Sequence, residues 1–109
     1  MAYSETLAQR VRALLRDQGE IREQKMFGGL TFMLRGNLCC GVRGDALMVR
    51  VGPEQLEAAL AQPHARRIDV AGRTMKGTLL VELAGVATDE DLARWVGKGV
   101  AFAASLPAK

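Results

Sequence analysis

The sequence predicts an α+β domain, a two-layer sandwich in which an antiparallel sheet carries helices packed on one face. Three observations predict this class. Apolar residues alternate with other residues over three consecutive segments, turn residues separate those segments, and stretches with helical spacing lie before and after them. A length of 109 residues suits a single domain with one core. Because aromatic residues make up only 5% of the chain, aliphatic and Met side chains must fill that core.

The N-terminal segment predicts a helix and then a strand with a polar face. Ser4 is placed to cap the helix and Gly19 to end it. Residues 20–26 are mainly polar, so a strand in this segment is expected at a sheet edge. The apolar stripe of the helix has helical spacing and consists of Leu7, Val11, Leu14 and Leu15.

A meander of three strands is expected next. A three-residue loop, 35–37, keeps the apolar residues on one side because it pairs Leu34 with Leu38. A two-residue loop at Gly44 and Asp45 does the same at the second turn. The core-facing residues are Leu30, Phe32, Leu34, Leu38, Cys40, Val42, Leu47, Val49 and Val51.

The second half of the chain predicts a short helix and two more strands. Pro53 suits the first helical position, and Pro63 ends the helix. Strands are expected at residues 68–70 and 79–83, joined by a basic loop over residues 73–78.

A closing helix completes the predicted order. Thr88 and Asp91 resemble a capping box at its start, and the helix should stop before Pro107. One helix, four strands, a second helix, two strands and a third helix leave the helices free to cover one face of the sheet.

Five short motifs carry a resemblance to a known family. They are Lys25–Gly29 with Phe32, Gly36–Val42, Leu47–Pro53, Gly72–Gly77, and Asp91–Leu92 with Trp95 before a terminal Ser105–Pro107. Together they make the chain similar to the N-terminal domain of the TfoX/Sxy family of bacterial competence regulators, specifically its short, single-domain members. The resemblance implies a secretion-chaperone-like fold and no established enzyme activity. Founding members act in transcriptional control of DNA uptake with the cyclic-AMP receptor protein, and this chain, which ends at Lys109, is expected to lack their C-terminal helical domain.

The expected interaction surface is the sheet face opposite the helices. Arg and Met are enriched at protein interfaces, and exposed apolar patches usually mark contacts. A protein partner or a second copy of the chain would bind there, unless a helix or subunit covers the face permanently. The basic loop after the fifth strand is a second candidate surface. The candidate residues are Met33, Arg35, Cys39, Arg43, Met48, Arg50, Arg73 and Lys76.

Two other classes of function stay open as alternatives. Direct nucleic-acid binding would use the basic members of this set, but a net charge of +3 is mild and the face has no aromatic residues on which bases could stack. A redox or ligand-binding role would use Cys39, because Arg50 opposite it would favour the thiolate. Packing explains both cysteines more simply.

The composition disfavours metal and catalytic sites. Cys39 and Cys40 are adjacent and the chain has one His, which is too few ligands for a Cys/His metal site. His64 has no catalytic partner at a recognisable spacing, and residues 72–77 lack the ending of a phosphate-binding P-loop. No signal peptide or membrane span is evident. We therefore expect a cytoplasmic, non-enzymatic protein without a cofactor.

Overall fold

The computed structural model describes residues 3–26, 29–70 and 73–107. Three α-helices, six strands and one short 3-10 helix follow in the predicted order of helices and strands. The elements are α1 (Glu5–Leu15), β1 (Ile21–Met26), β2 (Gly29–Leu34), β3 (Asn37–Arg43), β4 (Ala46–Arg50), α2 (Leu56–Leu60), β5 (Ala65–Val70), β6 (Arg73–Val81), the 3-10 helix (Leu83–Val86) and α3 (Asp89–Ser105).

All six strands form one antiparallel sheet in the order β1-β2-β3-β4-β6-β5. The main core lies between this sheet and the helices, where Phe32 and Trp95 are the largest buried side chains. α3 packs on β3 and β4, while α2 packs on β5 and β6. The predicted α+β class is confirmed. Within the described ranges, no helix has the length and apolar character needed to cross a membrane.

Side-chain caps fix the starts of the two long helices. The Leu7 N–H donates to Ser4 Oγ at 3.2 Å, and the Asp91 N–H donates to Thr88 Oγ1 at 3.1 Å. The predicted caps at Ser4 and Thr88 are therefore confirmed, while the Asp91 carboxylate, the other half of the expected capping box, accepts from Arg94 at 3.3 Å.

α2 is shorter than predicted, because it begins at Leu56 and not at Pro53. The N–H groups of Val51 and Gly52 both donate to the Gly77 carbonyl, at 2.8 and 3.0 Å. These bonds hold the chain against β6, and Pro53 lies in the turn that follows.

The turn between β2 and β3 has two residues, so the predicted three-residue loop is wrong. Leu34 pairs with Asn37, and the two residues between them have φ values of 52° at Arg35 and 85° at Gly36. Positive φ at both central positions defines a type I′ turn, whose twist matches that of paired strands. Arg is an unfavourable residue at the first of these positions, which is why the sequence did not indicate this turn.

A β-bulge at Cys39 corrects the register after that turn. Phe32 pairs with Cys40 as predicted, but Met33 pairs with Leu38, so Cys39 has no partner residue on β2. A bulge re-aims side chains, and both cysteines lie in the core beneath the helices. The second turn is as predicted, with Arg43 paired to Ala46 across Gly44 and Asp45.

The basic segment after β5 is a strand and not the predicted loop. β6 begins at Arg73, and its first residues continue the ladder with β5 through the pairs Val70–Arg73 and Asp69–Thr74. Backbone pairing therefore extends this hairpin across residues whose side chains gave no strand pattern.

The second face of the sheet has its own small apolar cluster of Ala46, Met48, Ile68 and Leu80. The Met48 side chain lies across Gly41 of the neighbouring strand, since a Cβ at Gly41 would meet Met48 Cε at 2.8 Å. The glycine therefore provides the space that Met48 fills, and this part of the face is closed.

Candidate interaction groove

The structure does not bring the predicted interaction residues together on one open face. Cys39 is 0% exposed and Met48 is 1% exposed, so the predicted exposure of both is wrong. The bulge turns Cys39 toward α3, and the space over Gly41 takes up Met48. The side chains of Arg73 and Lys76 lie outside the described part of the chain.

The other four residues lie in different surroundings. Met33 and Arg35 line a cleft of about 490 Å³ where β1 begins and β2 ends. Arg43 is half-buried at the end of β3. The Arg50 guanidinium lies 5.2 Å from the centroid of the Phe102 ring of α3. Their role in binding stays a prediction.

The buried cysteines do not form a surface thiol site. A hydrogen bond with the Cys39 side chain, together with burial, raises the pKa of the Cys40 thiol well above its ordinary value of 9.0. The thiolate is the nucleophile and the metal ligand, so a protonated, buried thiol is poorly suited to either role. Packing is therefore the simplest role for this pair.

A groove with a mainly apolar lining lies between α2 and α3. It arises because the two helices pack on different pairs of strands and leave a gap above the end of β4. Its volume is about 390 Å³. We call it the α2–α3 groove, and its lining residues are Val51, Gln55, Ala58, Ala59, Gln62, Lys98, Ala101 and Phe102.

Small side chains keep the groove open. Ala58 and Ala101 are exposed on its two helical walls, and Val51 and Ala59 are buried at its base. A larger residue at either exposed position would project into the space. The lining thus combines accessible methyl groups with a floor of buried core residues.

Phe102 forms a wall of the groove and is held by the backbone of the β4–α2 connection. Gly52 has a φ of 91°, and a Cβ at this position would meet Phe102 Cε1 at 2.5 Å. The ring therefore rests directly on the glycine, while the Arg50 guanidinium contacts the ring as described above. Phe102 is half-buried, and it lines the groove.

The charge along the groove is positive. Lys98 is exposed at its rim, one helical turn before Phe102, with its ammonium 5.9 Å from the Trp95 ring centroid. None of the described lining residues carries a carboxylate. Glu57, on α2, instead pairs with Arg67 at 2.8 Å. An acidic group entering the groove would therefore meet Lys98 and no carboxylate among the lining residues.

Little in the sequence indicated this groove. Residues 98, 101 and 102 have helical spacing, which also describes a stripe of core residues. The useful signal is the small residue at two exposed helical positions, Ala58 and Ala101. Nothing in the sequence, however, shows that α2 and α3 lie side by side. The groove depends on tertiary placement.

The TfoX N-terminal domain family matches residues 13–103 of the 109-residue chain. This range includes every strand, α2 and nearly all of α3. No match was found among curated proteins or solved structures. The chain belongs to the TfoX N-terminal domain family.

Proposed function

We propose that this chain is a non-enzymatic bacterial regulatory module that acts by binding another protein in the α2–α3 groove. Family membership suggests a regulatory or interaction module. The observation that supports the choice of surface is the accessible apolar lining, with Ala58 and Ala101 exposed and Phe102 half-buried. Apolar surface left accessible in a concave site is typical of a contact region.

Phe102 is the natural anchor of such a contact. Aromatic residues in well-packed pockets contribute most of the binding free energy at protein interfaces. Completing the burial of a half-buried Phe ring contributes about 1 kcal/mol, and the surrounding methyl groups add to this. Because Gly52 already fixes the ring, little side-chain entropy is lost on binding.

A neutral substitution inside the groove tests this function. Ala101→Gln places a longer polar side chain in the space, while Ala93→Gln makes the same change at an exposed position of α3 outside the lining. We expect Ala101→Gln to lower the amount of partner captured on the tagged protein from its host about tenfold, which corresponds to 1.4 kcal/mol. Ala93→Gln should capture as much as the unmodified chain. Equal capture by both variants would place the contact elsewhere.

The regulatory part of the proposal is transcriptional control of competence, the role of the founding family members. A deletion strain should show lower levels of DNA-uptake transcripts. The unmodified chain should restore them, and Ala101→Gln should not. Restoration by Ala101→Gln to the full level would separate the regulatory role from the groove.

A further inference from the structure

We propose that the occupant of the α2–α3 groove is an amphipathic helix of the partner protein, with carboxylates beside its apolar face. The inference rests on the proposed protein-binding function and adds the chemistry of the partner. It follows from the shape of the groove, from its charge and from what a second copy of the chain could offer.

The shape favours a helix. On the α2 side, the lining positions 55, 58, 59 and 62 are spaced by three and four residues, and on the α3 side positions 98, 101 and 102 have the same spacing. α2 has five residues and the α3 positions 98–102 span five, so each helical wall is about 7.5 Å long, a little more than one turn, and the ends of α2 extend the first wall to positions 55 and 62. An amphipathic helix placed in such a groove uses apolar residues at spacings of three and four.

The small side chains permit close approach. Ala58 and Ala101 project only methyl groups from the facing walls, so apolar side chains of a third helix can enter between them. Phe102 then contacts those side chains from one side of the groove. A third helix at this place would continue the helix layer that already covers the sheet.

The charge selects an acidic helix. Lys98 is exposed at the rim, the Arg50 guanidinium contacts Phe102, and the lining offers no carboxylate to compete. Each cation would pair with a carboxylate that flanks the apolar face of the incoming helix. Opposite charges around an interface steer association and fix orientation, whereas a basic helix would be repelled.

A second copy of the chain is a poor occupant. The apolar stripes of α1 and α3 are already buried in the core at Leu7, Val11, Leu92 and Trp95. Among the described residues, the one large hydrophobic side chain that is exposed is Leu83, in the 3-10 helix. The chain therefore has no described helix with a free apolar face to place in the groove of another copy.

Site-specific photo-crosslinking in the native host tests the proposal. A photoreactive amino acid at Ala101 reaches the occupant directly, and the same group at Ala93 is the matched control outside the lining. Mass spectrometry of the crosslinked peptide should identify a segment of another protein with apolar residues at spacings of three and four and with flanking Asp or Glu. Position 93 should not crosslink to that segment.

A charge series then tests the role of Lys98. Lys98→Glu should lower the crosslinking yield at position 101 about fivefold or more, since a rim pair worth up to about 1 kcal/mol becomes a repulsion. Lys98→Arg should keep the yield. Lys25→Glu makes the same charge change on the exposed edge strand β1 and should leave the yield unchanged. Melting curves of all variants show whether a loss of yield comes from unfolding.

The outcomes separate the two proposals. If position 101 crosslinks to a protein segment without carboxylates, to a second copy, or with a yield that Lys98→Glu leaves unchanged, the acidic-helix inference is wrong while protein binding in the groove stands. If position 101 crosslinks to no protein while the folded chain is present, both proposals are wrong.

Discussion

Replacing Gly99 with Ala should destabilise the protein, although Ala is the better helix former. Gly99 lies in the middle of α3, where a Cβ would meet the Cys39 carbonyl oxygen at 2.4 Å and Cys39 Sγ at 3.4 Å. The helix and β3 must separate by at least about 0.6 Å to bring the first distance to 3.0 Å. Backbone atoms on the sheet cannot rotate out of the way, so the whole helix has to shift.

The magnitude follows from two opposing effects. Overpacking a well-filled core costs up to about 3 kcal/mol, whereas replacing Gly with Ala inside a helix gains about 1 kcal/mol. The free energy of unfolding should therefore fall by about 2 kcal/mol for Gly99→Ala. For a domain of this size, that fall lowers the melting temperature by about 10 °C.

Gly97 provides a control within the same helix. It is exposed, and a Cβ at this position would have nothing within 4 Å. Gly97→Ala should raise the free energy of unfolding by about 0.5 to 1 kcal/mol, because only the helix propensity changes. Thermal unfolding followed by circular dichroism, with urea titration for the free energies, compares the two variants. Equal stability of the two would show that α3 does not contact β3 at Gly99, and the packing argument would be refuted.

The remaining predictions concern the turn, the buried thiol and a helix cap. Arg35→Asn should raise the free energy of unfolding by about 1 kcal/mol in urea titrations, because Asn tolerates the φ of 52° better than Arg does; an unchanged midpoint would contradict the type I′ turn. Because the pKa of Cys40 is raised in the folded state, the folded protein keeps the thiol proton above pH 9.0, where the unfolded chain loses it. The stability that depends on this thiol should therefore be full below that pH and decline above it, and Cys40→Ala should flatten the decline. Thr88→Ala should cost about 1 kcal/mol, since the Asp91 N–H loses its acceptor, and Thr88→Ser should restore most of it.

The local patterns of the sequence predicted the fold because most residue types match the burial and the secondary structure of their positions. Alternation identified the core face at Phe32, Val42 and Val49, and the caps at Ser4 and Thr88 follow from side chains that accept backbone hydrogen bonds. Each of these features depends on residues that are close in sequence. The same holds for the second turn of the meander, where Gly and Asp suit a two-residue loop.

The errors have a different physical origin. Two backbone features that the pattern does not show offset each other. The two-residue turn, with Arg35 at positive φ, shifts the strand register by one residue, and the bulge at Cys39 restores it. The hydrophobic pattern alone favoured the three-residue loop 35–37, because that loop keeps the register without a shift and a bulge. The groove was missed for another reason: Ala58 and Ala101 form one surface only after α2 and α3 have packed on separate strand pairs.

The proposed contact surface lies on the helix layer because of how the two faces of the sheet are filled. On the second face, Met48 occupies the space over Gly41, and Ile68 and Leu80 pack beside it, so its apolar side chains are already buried. On the first face, Gly99 lets α3 approach β3 closely, whereas α2 lies apart over β5 and β6. The contact of Gly99 with β3 closes the core under α3, and it leaves Phe102 and Ala101 at the edge of the α2–α3 groove. Loss of the Gly99 contact should therefore move α3, change the groove and weaken partner binding together, while Gly97→Ala should leave binding intact.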